Sequence, residues 1–302
     1  MRFGFGFSSR SDVVVPSVPK APRTTGGLTV VPVKAAFRAA PAALVKRVPF
    51  EPAGRVTPVF FLHIPRTSGA SFMSFLRGIF GPDQVTEGTE EMAATILGGR
   101  HETVRTDCLT GGLPLMRWQM YRGSDAYARV TILRDPWARL VSQINRLAIL
   151  GPDGAGPDGS VARALASEIT LADFTSRAGL ERFRRRLQPV EGSLDNVQTR
   201  MLLTGSMSAM VKPLNLRDVD RSLANLAEFA LVGFCEDQVA LQRGLLRLTG
   251  QQGSPASLFD CTGKAVALSP RNDLAREVLE PLYHYDQVLY TRAKAMIAAR
   301  QA

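Results

Sequence analysis

The sequence predicts an α/β sandwich, in which helices cover both faces of a parallel sheet. The chain has 302 residues, of which 45% are hydrophobic, so it can bury a sizeable core. Largely apolar runs of strand length occur at residues 59–64, 129–133 and 230–235. Such runs are typical of parallel strands that are covered on both faces, and helical periodicity follows each of them.

The first predicted strand, residues 59–64, ends at Pro65 and is followed by apolar residues at helical spacing: Phe72, Phe75, Leu76 and Ile79. Residues 65–71 are therefore predicted to form a tight loop between a buried strand and a helix. In βα units of this kind, phosphate groups meet the amino end of the helix.

The second unit repeats the pattern, with a strand over residues 129–133 and a helix over residues 137–150. Asp135 is predicted to cap this helix, and Pro136 suits its first turn because the missing N–H would have no partner there. If the two strands share a sheet, their carboxyl ends open on the same edge.

The remaining helices are predicted from caps and periodicity. A short helix starts at Thr170 or Asp173, and Asp195 caps a second one that runs to Leu203. Another begins at Asp220 and ends near Phe229. The last two cover residues 237–249 and residues 272–300, and Pro281 kinks or divides the final helix.

We predict two segments of different character: a basic arm, rich in proline and alanine, at residues 1–56 and one folded domain at residues 57–302. Residues 1–50 carry eight basic side chains against Asp12, which accounts for +7 of the formal charge of +10. Because the arm carries no nucleic-acid-binding motif, we expect it to be a solvated tail or to contact a membrane peripherally, rather than to bind nucleic acid. No stretch is long and apolar enough to span a membrane, so the expected location is the cytoplasm.

Two segments carry residues suited to phosphate. The first loop offers backbone N–H groups and side chains at a helix start: Arg66, Thr67, Ser68, Gly69, Ala70 and Ser71. The spacing of a Walker phosphate loop is missing, which disfavours a nucleoside triphosphatase. The bland alternative is ordinary helix capping.

The second segment offers Arg134, which can grip a phosphate with two hydrogen bonds, and the Ser142 hydroxyl two turns further on. Two such sites side by side suit a ligand with phosphates at two ends. The alternative is a surface arginine that pairs with Asp135.

These segments resemble sulfotransferase family 2, the bacterial sulfotransferases related to heparan sulfate 2-O-sulfotransferases. Residues 63–72, HIPRTSGASF, resemble the family's 5′-phosphosulfate loop HIPKTGGTS, and residues 134–142, RDPWARLVS, resemble its RDPxxRxxS element. Residues 195–202, DNVQTRML, resemble its DNxQTRxL stretch. Residues 231–237 and 282–286 fall where the family has a strand end and a closing helix.

The resemblance implies a P-loop-like three-layer sandwich and a sulfotransferase that takes 3′-phosphoadenosine 5′-phosphosulfate (PAPS) as sulfuryl donor, without a metal. Arg66 replaces the lysine that contacts the phosphosulfate, and Arg134 and Ser142 are the residues that hold the 3′-phosphate. The implied acceptor is a hydroxyl group of a glycan or glycoconjugate.

The sequence departs from the family at the general base. A histidine is expected after an intermediate strand, and Gly112 stands there. His101, beside Glu102, is the first substitute, ahead of His63 and His284. We therefore keep two alternatives: a PAPS-binding protein without transferase activity and, less favoured, a nucleotide kinase that needs Mg²⁺. The three cysteines, Cys108, Cys235 and Cys261, are expected to be buried free thiols.

Overall fold

A computed structural model describes residues 56–88, 106–120, 123–152, 160–187, 193–203, 213–255 and 266–301. Five parallel strands form one sheet in the order β2-β3-β1-β4-β5. They are β1 (Val59–Leu62), β2 (Val85–Thr86), β3 (Cys108–Gly111), β4 (Ala128–Leu133) and β5 (Leu231–Phe234). Helices flank this sheet, so the predicted α/β class with a parallel sheet is confirmed. The predicted arm, apart from Val56, lies outside the described residues.

Ten helices are described, and we number them in chain order. The first five are α1 (Gly69–Phe80), α2 (Leu115–Trp118), α3 (Pro136–Leu150), α4 (Ser160–Thr170) and α5 (Arg177–Leu187). The others are α6 (Val197–Leu203), α7 (Leu216–Ala227), α8 (Gln238–Thr249), α9 (Asp273–Val278) and α10 (His284–Gln301). None of these helices is both long and apolar enough to cross a membrane.

The central position of β1 in the sheet explains why every residue of the strand is apolar, rather than every second one. Val59 and Phe61 pack into a cluster with α1 and α8, whereas Phe60 and Leu62 pack into a second cluster with α2, α6, α7 and α10. Because successive side chains of a strand point to opposite faces, both faces of β1 must be apolar. A third cluster joins α3, α4, α5 and α9.

Strand order places the two predicted loops together. β1 pairs with β4 in parallel, with Leu62 opposite Thr131, so His63 and Arg134 follow neighbouring strands at the same edge. The chain leaves β1 toward β2 on one side of the sheet and leaves β4 toward β5 on the other. In parallel sheets, a crevice for ligands opens at such a point of divergence.

Helix boundaries follow the predictions where the cap is local. Asp135 caps α3 by accepting a hydrogen bond from the Ala138 N–H, and Asp237 caps α8 in the same way. The final helical region is divided near Pro281 into α9, a short 3-10 turn and α10, as predicted. Cys108 and Cys235 are buried thiols that form no disulfide within the described residues, as expected, and Cys261 is outside those residues.

Three expectations about helices are corrected. α7 begins at Leu216 rather than Asp220, because Asn215 and Asp218 form a reciprocal capping box. The first turn of α6 receives its cap from Asp286 on α10, whereas Asp195 accepts hydrogen bonds from Arg200. A helix begins at neither Thr170 nor Asp173: α4 ends at Thr170, and α5 starts at Arg177.

Candidate functional site

The loop between β1 and α1 has a backbone that L-residues rarely adopt. Arg66 and Ser68 lie in the left-handed region, with φ of 70° and 72°. This conformation costs roughly 1–2 kcal/mol for a residue other than glycine. The Ser68 Oγ lies 2.7 Å from the Cys235 Sγ, within hydrogen-bonding distance, so the loop is tied to the chain just beyond β5. The loop is therefore a strained element that its surroundings hold in place.

The Thr67 side chain has a different role from the one predicted. Its hydroxyl was expected to be a donor toward an anion, but it is fully buried and donates to the Ile64 carbonyl oxygen at 2.9 Å. Thr67 therefore closes the loop upon itself. Ser71, in the first turn of α1, remains partly exposed.

Gly69 opens α1 beneath the His63 ring. A Cβ at position 69 would lie 1.8 Å from the His63 Nε2, so only glycine fits there. α1 contains 12 residues, and its amino end faces the carboxyl edge of the sheet. Backbone N–H groups without helical partners and the helix dipole make this end attractive to anions. Ala70 follows in the first turn of α1.

Arg134 and Ser142 lie against the first loop. Arg134 is only 8% exposed, and its Nη1 donates to the Arg66 carbonyl oxygen at 2.9 Å. The Arg66 Nε in turn donates to the Ser142 Oγ at 3.0 Å. The two predicted segments thus form one cluster, and Arg134 is not the solvent-exposed arginine of the bland alternative.

A third guanidinium lies beneath this pair. Arg139 is fully buried, and burial lowers its pKa to about 10; Asp286 opposes this shift, whereas Arg134 and Arg66 reinforce it. Its Nη1 and Nη2 lie 3.5 and 3.4 Å from the Ser193 and Leu194 carbonyl oxygens. Its Nε has no hydrogen-bond partner within the described ranges. Arg66, Arg134 and Arg139 thus lie within electrostatic range of one another at this edge of the sheet, with Asp286 and Asp195 also in range of Arg139.

Carboxylate groups also lie near the arginine cluster. Glu236, just after β5, accepts a hydrogen bond from the Asp135 N–H at 2.9 Å and one from the Tyr290 hydroxyl at 2.8 Å. Burial raises the pKa of Tyr290, and the neighbouring Glu236 raises it further, so this phenol stays protonated. The start of α3 is thereby fixed both by its own cap and by β5.

The structure brings Arg66, Arg134 and Ser142 together, but the described residues do not identify the general base that the resemblance implies. His101 lies outside the described residues. Gly112, which follows β3, offers no side chain. His63 packs over Gly69, and His284 is exposed at the start of α10, where its Nδ1 lies 2.5 Å from Glu280.

Two residues that the sequence did not single out stabilise the position of Arg134. Gln198 contacts Arg134 directly, and Asp286 contacts Gln198. Gln198 is fully buried, and its carboxamide contacts the backbone of Arg134. The polar segment 195–200 reads as surface by composition, yet all six residues are buried. The only available signal was the resemblance of this segment to a family motif.

No protein-family model matches this chain, and no curated protein matches its sequence. A function for this chain is therefore inferred from the geometry of the arginine cluster and from the sequence resemblance.

Proposed function

We propose that this protein is a PAPS-dependent sulfotransferase with a P-loop-like fold that acts on a hydroxyl group of a glycan or glycoconjugate. The proposal is carried by one observation: residues of the two predicted phosphate-binding segments touch. The Arg66 Nε donates a hydrogen bond to the Ser142 Oγ, and the Arg134 Nη1 donates one to the Arg66 carbonyl oxygen. A ligand with phosphate groups at two ends requires such adjacent sites.

The donor set suits a phosphorylated nucleotide. Guanidinium groups make charge-assisted hydrogen bonds to phosphate, and a hydroxyl and a helix amino end add neutral donors. In this proposal Arg134 and Ser142 hold the 3′-phosphate, while Arg66 and the start of α1 face the 5′-phosphosulfate. The Arg139 charge below them adds attraction for a polyanion.

Bound PAPS would supply a sulfuryl group, which passes to an acceptor hydroxyl as the bond to the departing phosphate breaks. Arg66 and the amino end of α1 are positioned to stabilise the negative charge that grows on that phosphate. The loop would orient the phosphosulfate toward the acceptor hydroxyl, which would reduce the entropy cost of the step. A base must take the hydroxyl proton, and His101 remains our first candidate for that role.

A second candidate function is the binding of PAPS, or of its desulfated product 3′-phosphoadenosine 5′-phosphate (PAP), without sulfuryl transfer. It is favoured by Gly112, because the carboxyl end of β3 carries no side chain where the family base is expected. A general base commonly contributes about 10²–10⁴ in rate, so its loss would leave binding intact and abolish measurable turnover.

Calorimetric titration with PAP tests the nucleotide site. We expect micromolar binding to the full-length protein. In Arg134→Ala, we expect the PAP affinity to fall at least tenfold, which corresponds to about 1.4 kcal/mol of binding free energy. Arg146→Ala is the matched control, because Arg146 is an exposed arginine on the same helix as Ser142. ATP with Mg²⁺ is the comparison ligand. Absence of PAP binding by the folded protein would refute the proposal, and selective ATP binding would favour the kinase.

Transfer of radiolabelled sulfate from PAPS to a panel of hydroxyl-bearing glycans distinguishes the two candidate functions. Turnover that falls in Arg66→Ala supports the sulfotransferase. PAP binding with no product from any acceptor supports the binding protein. Turnover unchanged in Arg66→Ala would show that the role given to Arg66 is wrong.

A further inference from the structure

The carboxamide of Gln198 bridges both backbone polar groups of Arg134. Its Oε1 accepts from the Arg134 N–H at 3.0 Å, and its Nε2 donates to the Arg134 carbonyl oxygen at 2.9 Å. Gln198 is fully buried on α6, 64 positions away in the sequence. Two hydrogen bonds to one residue fix both the position and the orientation of its peptide groups.

Arg134 needs such a partner because it stands where β4 ends and α3 has not begun. The neighbouring backbone groups are paired with β5 and the residues after it: the Leu133 carbonyl accepts from the Cys235 N–H, and the Asp135 N–H donates to Glu236. Between them, the N–H and the carbonyl oxygen of Arg134 both pair with the Gln198 side chain. Gln198 thus completes the hydrogen bonding of the strand-to-helix junction.

Asp286 fixes Gln198 in turn. Its Oδ2 accepts from the Gln198 N–H at 3.1 Å, and its Oδ1 accepts from the Thr199 N–H at 2.7 Å and the Thr199 hydroxyl at 2.8 Å. Asp286 is fully buried on α10, where burial raises its pKa and the charge of Arg139 opposes that shift. A chain of buried contacts therefore runs from α10 through α6 to the β4–α3 junction.

We propose that Gln198 is a positioning residue for Arg134, and that Asp286 acts through Gln198. The inference rests on the proposed function, since it assigns to this contact the task of aiming the Arg134 guanidinium at a phosphate group. A binding residue must be held to within roughly 0.5 Å of its productive position, and a small displacement is costly. The two segments 195–202 and 282–286, which the mechanism does not use, acquire a role in this way.

Gln198→Met tests the proposal, because methionine keeps the length of the side chain and removes both hydrogen bonds. Gln242→Met is the matched control, since Gln242 is another fully buried glutamine, on α8. We expect both variants to lose thermal stability, but only Gln198→Met to lose roughly tenfold or more in PAP affinity. Gln198→Glu keeps the acceptor for the Arg134 N–H and loses the donor, so its affinity should be intermediate.

A double-mutant cycle with Arg134→Ala distinguishes the positioning of Arg134 by Gln198 from a general loss of protein stability. In the Arg134→Ala background, Gln198→Met should cause no further loss of PAP affinity, whereas Gln242→Met should behave as it does in the wild type. PAP affinity of Gln198→Met within twofold of the wild type, or additive losses in the cycle, would overturn the proposal.

A readout without ligand keeps this inference distinct from the proposed function. We would measure hydrogen exchange at the Arg134 amide by NMR, with arginine labelled by ¹⁵N. Faster exchange in Gln198→Met than in Gln242→Met supports the positioning contact even if the wild type fails to bind PAP. Equal exchange in the two variants refutes it, whatever the wild type binds.

Discussion

The imidazole of His63 fills the space in which a side chain at position 69 would stand. The ideal Cβ of residue 69 would lie 1.8 Å from the His63 Nε2, which is far inside van der Waals contact. The ring therefore sits directly on the first turn of α1. The contact explains why the loop ends in glycine at this point, although Gly69 is not in the left-handed region.

Gly69→Ala should accordingly displace the loop, destabilise the fold by about 1–3 kcal/mol and weaken PAP binding. Gly78→Ala, in the same helix, is the control: nothing lies within 4 Å of its Cβ, and alanine should stabilise the helix by up to about 1 kcal/mol. Chemical denaturation and PAP titration of both variants measure these effects. Addition of His63→Ala to Gly69→Ala should recover part of the stability. Equal stability of the two alanine variants would contradict the steric argument.

Arg66 and Ser142 should contribute to PAP binding as a coupled pair, because the Arg66 Nε donates directly to the Ser142 Oγ. Arg66→Ala and Ser142→Ala should each weaken binding, and the double variant should lose less than the combined single losses, by about 0.5 kcal/mol or more. The cycle is measured by calorimetry at one salt concentration. Additive losses would show that the Arg66–Ser142 hydrogen bond does not couple the two side chains in binding.

The Cys108 thiol should resist alkylation in the native protein. Burial raises its pKa to about 12, with smaller contributions from the Asp107 and Glu87 charges, so the reactive thiolate is scarce near neutral pH. Mass spectrometry after iodoacetamide treatment at pH 8 should find Cys108 unmodified, and rapid modification in denaturant is the control. Rapid labelling of the native protein at Cys108 would contradict its buried position.

Asp173 should make stability depend on pH in the acid range. Hydrogen bonds from Ser176 and then from Thr175 lower its pKa from 3.8 to about 2. Because the folded pKa is depressed, this contribution is present above the unfolded pKa and is lost as the pH falls through about 2. The Tm difference between wild type and Asp173→Asn should therefore shrink between about pH 4 and pH 2. Ser176→Ala should weaken this pH dependence, and a constant difference would contradict it.

Much of the sheet could be predicted because its signals are local. β1 and β4 lie in largely apolar runs that stop before Pro65 and Arg134, and the caps Asp135 and Asp237 act within three residues. β2 was missed because two residues at the sheet edge carry no pattern. The start of α7 was misplaced because Asp220 is a good cap by type, while Asn215 makes the actual capping box.

Side-chain partners at distant positions could not be predicted. Asn145 illustrates this: its Oδ1 accepts from the N–H groups of Val266, Ala267 and Leu268, more than 120 positions away. By sequence, it is one more polar residue on an amphipathic helix. Its burial follows from the packing of the third core cluster, which no local pattern encodes.

The sequence by itself determined the α/β class and the positions of the two strand-to-helix loops, because strand length, proline breaks and helix caps act over a few neighbouring residues. Only the tertiary structure decided which side chains meet. Arg66 reaches Ser142 across 76 positions, and Asp286 reaches Gln198 across 88. Such contacts depend on strand order and helix packing, which follow from the burial of all the apolar faces together.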